Sequence, residues 1–110
     1  GNISAVVSFS DWQDMYTRLK TIFIGQTATN GIKIASVSKH FVDRVIGTIY
    51  QKCSGVSIRN LQKIIANGQI AEVKTDKKGR KSQRIYIDEL CDITINPETG
   101  ELIQCNPNSK

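Results

Sequence analysis

The chain predicts an α+β fold in which N-terminal helices pack on a C-terminal antiparallel sheet of about four strands. Three observations predict it. Apolar residues recur at three- and four-residue spacing as far as Gly68, and each such run follows a serine that can cap a helix. Beyond Gly68 the spacing changes to alternation. The alternating runs are separated by polar, glycine-containing turns, the pattern of a meander.

The first helix is predicted from a cap at Ser10, with Gln13 completing a capping box and Gly25 ending it. Its apolar positions are Trp12, Met15, Tyr16, Leu19, Ile22 and Phe23. The segment from Thr27 to Ala35 reads as a turn at Asn30-Gly31 followed by a short strand or extended arm. A second helix starts at Ser36 or Ser38, buries Phe41, Val42, Val45, Ile46 and Ile49, and turns Lys39, His40, Asp43, Arg44 and Gly47 to the other side. A third is capped by Ser57, carries Ile58, Leu61, Ile64 and Ile65 on its apolar stripe, and stops at Asn67-Gly68 in a left-handed turn.

The strands follow. Ile70 and Val73 mark one, Thr75 to Arg80 a hairpin loop, Ser82 to Ile87 the next strand and Cys91 to Ile95 another. Asn96 to Gly100 makes a tight turn, Glu101 to Cys105 returns, and Asn106 to Lys110 reads as a loose tail. Side-chain alternation puts Ser82, Arg84 and Tyr86 on one face with Asp92, Thr94 and Asn96, and leaves Ile85, Ile87, Ile93 and Ile95 for the core. The first face is a patch of hydroxyls, amide and guanidinium. A solvated sheet face gives the same pattern.

At 110 residues and 39% hydrophobic content there is room for one domain and one core. Its parts are a helical extension over 1–30 and a core over 31–107. Fifteen Lys and Arg against ten Asp and Glu give a net charge of +5, which suits nucleic acid, an anionic membrane or an acidic protein. Six of those fifteen cations (Lys74, Lys77, Lys78, Arg80, Lys81 and Arg84) fall within the predicted hairpin, which favours a polyanion. A hairpin protected by lysine against edge pairing has the same composition. No apolar run approaches the ~20 residues of a membrane span, and Gly1 to Ser8 lacks the cationic start of a signal peptide. The start at Gly1, without an initiator methionine, reads as a piece cut from a longer protein or as an artificial boundary. Cys53, Cys91 and Cys105 form no CxxC pair, so neither a disulfide framework nor zinc is indicated, although a Cys91–Cys105 bridge across adjacent strands stays open.

His40 is the chain's one histidine, and Arg44 follows it by one helical turn. An imidazole beside a fixed cation can move a proton at a phosphodiester. RNA is cleaved without metal when a base removes the 2′-OH proton, a cation stabilises the crowded phosphate, and an acid protonates the leaving 5′-oxygen. In that scheme His40 is the acid or base, Arg44 and Arg84 hold the phosphate, and Lys81 completes the clamp. Ser82, Tyr86 and Thr94 orient phosphate oxygens or ribose, and Tyr86 is the candidate for base stacking. Competing schemes lack their parts. No cysteine is spaced to meet His40, the carboxylates Asp43, Asp88, Glu89 and Asp92 are scattered without a metal-ligand pattern, and there is no phosphate-binding glycine loop.

The stretches SKHFVDR, GVSIRNLQKIIANGQI, DKKGRKSQRIYI and ITINPETGELIQCNP, spanning about Ile32 to Pro107, resemble the C-terminal toxin domains of bacterial polymorphic and contact-dependent growth inhibition systems and of phage-derived head-morphogenesis proteins. These sit in the ribonuclease assemblage of barnase, EndoU, colicin tRNases and RelE, the BECR fold. The resemblance implies a metal-independent endoribonuclease toxin without cofactor. It would be delivered from the cell surface or secreted as the end of a larger bacterial protein, cut tRNA or other RNA in the target cytoplasm, and be held in check by an acidic immunity protein. It also implies site residues: His40, Arg44, the strand signature Lys81, Ser82 and Arg84, and the turn element Thr94, Asn96, Pro97, Thr99 and Gly100, with Thr94 nearest a phosphate. EndoU enzymes use two histidines and this chain has one, so the general acid falls to Arg84, Lys81 or Tyr86. A non-catalytic basic nucleic-acid-binding module and a protein-interaction domain remain the alternatives.

Overall fold

A computed structural model describes residues 8–47 and 55–107. Ile49 and Cys53 lie outside them, as do residues 108–110 of the expected tail.

Three helices, α1 (Phe9–Phe23), α2 (Lys39–Ile46) and α3 (Ile58–Asn67), form because a serine caps each one. Ser8, Ser38 and Ser57 accept from the backbone N–H groups of Asp11, Phe41 and Asn60. Each such cap is worth about 1 kcal/mol. The first cap is Ser8 and not Ser10, and no capping box with Gln13 forms. Phe9, 78% exposed, adds a half turn ahead of the expected start without packing on the core. Of the two serines before α2, Ser38 is the cap, while Ser36 belongs to a strand.

The sheet has five strands and is mixed. β1 (Ser36–Val37), β2 (Gln69–Thr75), β3 (Lys81–Ile87), β4 (Cys91–Ile95) and β5 (Glu101–Pro107) lie in the order β1-β5-β4-β3-β2. β2 to β5 are the expected antiparallel meander, and β1 adds a two-residue strand parallel to β5. Two residues are too few to show alternation, which is why this strand leaves no periodic mark in the sequence. β5 runs on through Asn106 and Pro107, the start of the expected tail.

The helices cover one face. Ile85, Ile93, Ile95, Leu102 and Cys105 from the sheet join Leu61, Ile64 and Ile65 from α3, Phe41, Val42 and Val45 from α2, and Leu19 and Phe23 from α1 in a single apolar cluster. Each fully buried Ile, Leu or Phe adds about 1.5–3 kcal/mol of hydrophobic driving force. Trp12 Nε1 donates to Asp43 Oδ1 at 2.7 Å and ties α1 to α2. Gly68 ends α3 in extended geometry (φ −66°), not the left-handed turn expected; its glycine serves close packing, since a Cβ there would stand 2.5 Å from Ile85 Cγ2. The turn before β5 does need a left-handed glycine: Gly100 has φ +76°, and an added Cβ would sit 2.3 Å from the Lys33 carbonyl oxygen.

α2 is fixed to β5 where β1 stops pairing. Beyond the β1 register at Glu101 and Leu102, Ser38 Oγ donates to the Ile103 carbonyl at 2.7 Å and Arg44 Nε to the Cys105 carbonyl at 3.1 Å. The helix therefore satisfies carbonyls along the β5 edge with its own side chains.

Candidate functional site

The face of the sheet away from the helices is polar because of strand parity. Register pairs Lys74 with Ser82, Arg84 with Thr94, and Tyr86 with Asp92; Thr94 and Asp92 in turn pair with Gln104 and Asn106 of β5. These side chains share one face, while Ile85, Ile93 and Cys105 occupy the other.

Two hollows lie on this face. One of about 400 Å³ is lined by Asp76, Arg80, Lys81, Ser82, Thr94, Asn96, Glu101, Ile103 and Gln104. The other, about 330 Å³, touches Lys74, Glu72, Ala71 and Arg84. Both include Ser82, Thr94 and Gln104, so they form one trough with hydroxyls and an amide at its middle. Cations stand at both ends: Arg84 and Lys74 toward β2, Arg80 and Lys81 toward the β2–β3 hairpin.

Asp92 and Tyr86 both hold Arg84. Its Nε donates to Asp92 Oδ2 at 3.1 Å, and its guanidinium carbon lies 4.5 Å from the centroid of the Tyr86 ring. Asp92 Oδ1 accepts from Asn106 Nδ2 at 3.0 Å, and Asn106 Oδ1 accepts from Arg44 Nη2. The helical arginine and the strand arginine thus belong to one polar chain, Arg44–Asn106–Asp92–Arg84, that crosses β5 and β4.

The residues singled out from sequence do not all meet. Lys81, Ser82, Arg84, Thr94 and Asn96 come together in the trough. Tyr86 lies beside it with Arg84 over its ring, and its hydroxyl makes a long 3.5 Å contact to Gln69 Oε1. Thr99 stays in the β4–β5 turn, where its hydroxyl accepts from the Glu101 N–H at 3.3 Å, and does not line the trough. Asn96 has a turn role as well, its Oδ1 accepting from the Glu98 N–H at 2.8 Å. His40 is exposed on the first turn of α2, outside the trough lining. Arg44 reaches the face through Asn106.

Asp92, Asn106 and Gln104 were not singled out as site residues. Gln104 and Asn106 reach the open face because the register of β5 shifts between Leu102 and Gln104, so that Leu102 and Cys105, three residues apart, are both buried; alternation from Leu102 places them on the wrong side. The burial of Asp92 depends on neighbours from β3 and β5, which no local pattern displays.

Cys91 and Cys105 are buried on the helix side and form no disulfide with each other, and burial, with the Asp92 charge adding to it, pushes the Cys91 thiol up to about 11. Among the described residues, no helix is long and apolar enough to cross a membrane, and no group of three or more His, Cys, Asp or Glu could hold a metal ion. No family model, curated protein or solved structure matches the chain.

Proposed function

We propose that this chain is a metal-independent endoribonuclease toxin that lays single-stranded RNA along the open face of its sheet. The observation carrying this is the trough in which a fixed guanidinium, Arg84, stands beside the Ser82 and Thr94 hydroxyls, with Lys74 at the same end and Arg80 and Lys81 at the other, four cations against the carboxylates of Glu72, Asp76 and Glu101. Such a site engages a phosphodiester in place of water and draws in a polyanion.

In the reaction, a base takes the 2′-OH proton, the 2′-oxygen attacks phosphorus, and the P–O5′ bond breaks to leave a 2′,3′-cyclic phosphate and a protonated 5′-hydroxyl. His40 is the base. Exposed one turn before Arg44, it stands on the helix that flanks β5, so the RNA has to extend from the trough toward that edge. Arg84 is no proton donor, because guanidinium does not deprotonate in proteins. Lys81, in the trough lining, and Tyr86, beside it, remain the candidates for the second proton carrier. The biological setting follows the resemblance: delivery as the C-terminal part of a larger bacterial protein, attack on tRNA or other RNA in the target cytoplasm, and neutralisation by an acidic immunity protein.

The position of His40 outside the trough favours a second reading, a basic RNA-binding module without catalysis. One experiment separates the two: wild-type protein and His40→Ala incubated with total tRNA in excess EDTA. Cleavage by the wild type alone is the expected result. Cleavage by both proteins removes His40 from the mechanism; salt-dependent binding without product establishes the second reading. Neither binding nor cleavage leaves a protein-interaction domain.

A further inference from the structure

Asp92 is a buried carboxylate, 6% exposed, on a face that is otherwise polar and open. Both its oxygens are taken, one by Arg84 and one by Asn106, and Asn106 is held from the far side by Arg44. The Arg84 side chain is itself 36% exposed. An ion pair with one buried partner is a poor stabilising device, since the cost of desolvating the Asp92 charge rivals its attraction to Arg84. What it supplies is direction. With Nε fixed to Asp92 and the Tyr86 ring beneath the guanidinium, the orientation of that planar group is set before any ligand arrives.

We propose that Asp92 and Asn106 are positioning residues that aim the Arg84 guanidinium at a phosphate of single-stranded RNA in the hollow beside Ser82 and Thr94. Arg44 acts as the far anchor of this array, not as a phosphate ligand. The inference rests on the RNA reading above but not on catalysis. It also runs against simple electrostatics. A carboxylate 3.1 Å from the guanidinium lowers the local positive potential, so if Asp92 were a bystander its removal would tighten RNA binding.

The test is a double-mutant cycle read with a 2′-O-methylated single-stranded RNA of mixed sequence, which binds but is not cleaved. Arg84→Ala and Asp92→Ala should each weaken binding about tenfold, the loss of one aimed, charge-assisted hydrogen bond. The double variant should be no weaker than Arg84→Ala alone. Each single variant should also lower the slope of log affinity against log salt by about 0.7, the signature of one lost phosphate contact on a single strand. A merely structural Asp92 gives additive losses and an unchanged slope, and a competing Asp92 gives tighter binding; either result overturns the proposal. If Asp92→Ala does not fold, Asn106→Ala replaces it in the cycle, with a loss of about threefold expected and the same non-additivity required. Wild-type protein that fails to retain the oligonucleotide overturns the inference together with the RNA reading. Retention without cleavage of unmodified RNA removes only catalysis.

Discussion

The two faces of the sheet are made from the same strands yet obey different rules. On the helix side, Ile85, Ile93 and Cys105 stand in register across β3, β4 and β5, and all are fully buried. On the open side the next residues along, Arg84, Thr94 and Gln104, stand in the same register and line a trough. The first row is held by packing, which is non-directional and tolerates exchange among apolar residues of similar volume. The second is held by hydrogen bonds and charge, which depend on geometry. Substitutions on the first row should therefore change stability, and on the second, activity.

The largest expected effect tests the packed side. Ile93→Ala removes a side chain with no exposed surface from the middle of the core and should cost about 3 kcal/mol in denaturant unfolding. RNA binding per folded molecule should be unchanged. A loss below about 1 kcal/mol would mean that the core repacks freely, and a loss of binding without unfolding would mean that the faces are not separable.

Next in size is a contrast between two cations. Arg84→Ala should lower RNA cleavage at least tenfold, about 1.4 kcal/mol or more, whereas Lys77→Ala in the exposed hairpin should change it less than about twofold because a loop charge is screened. Equal small effects would indicate a diffuse binding surface and remove the distinction between trough and hairpin.

Ser38 joins the two sides. It caps α2 through the Phe41 N–H at 3.0 Å and donates to the Ile103 carbonyl at 2.7 Å. Ser38→Ala should cost about 1–2 kcal/mol, more than the ~0.5–1 kcal/mol expected for Ser57→Ala, whose cap is exposed and does no second task. Equal losses in thermal unfolding would mean that the α2–β5 attachment carries no weight.

What the sequence made legible divides along the same line. Helix stripes, serine caps and strand alternation are local, so the three helices, β2 to β5 and the placement of Ser82, Arg84 and Thr94 on one face could be derived from spacing. β1 could not, because its pairing with β5 joins residues 36–37 to 101–102 and is non-local. Gly68 departs from the left-handed stop its sequence predicts for a related reason: the glycine answers to Ile85 on another element as well as to its own helix end. In the candidate site, residue types were readable and partnerships were not. Spacing with His40 points Arg44 at a phosphate, whereas the structure adds its contacts to Cys105 and Asn106, which depend on a strand longer than the alternation shows.

The smallest expected effect concerns the hairpin that closes one end of the trough. Hydrogen bonds hold the Asp76 carboxyl below its ordinary value of 3.8, the Arg80 backbone N–H contributing most and prevailing over a smaller opposing loss of hydration; the Arg80 guanidinium and the Lys78 N–H add to it. A carboxyl depressed in the folded state contributes its stabilisation above the ordinary value and loses it as pH falls through the folded one. Amide exchange at Gly79 and Arg80 should therefore accelerate relative to the intrinsic rate as the pH falls below the ordinary carboxyl value of 3.8, while amides of Ile85 and Ile93 keep their protection. Asp76→Asn should remove the pH dependence and leave the tip loose throughout. Because Asp76 and Arg80 line the larger hollow, the same loosening should weaken oligonucleotide binding at that end without touching the packed face. Protection at the tip that stays constant as the pH falls would show that the hairpin is held by its turn alone, and that the charge pair Arg80–Asp76 at 2.8 Å is incidental.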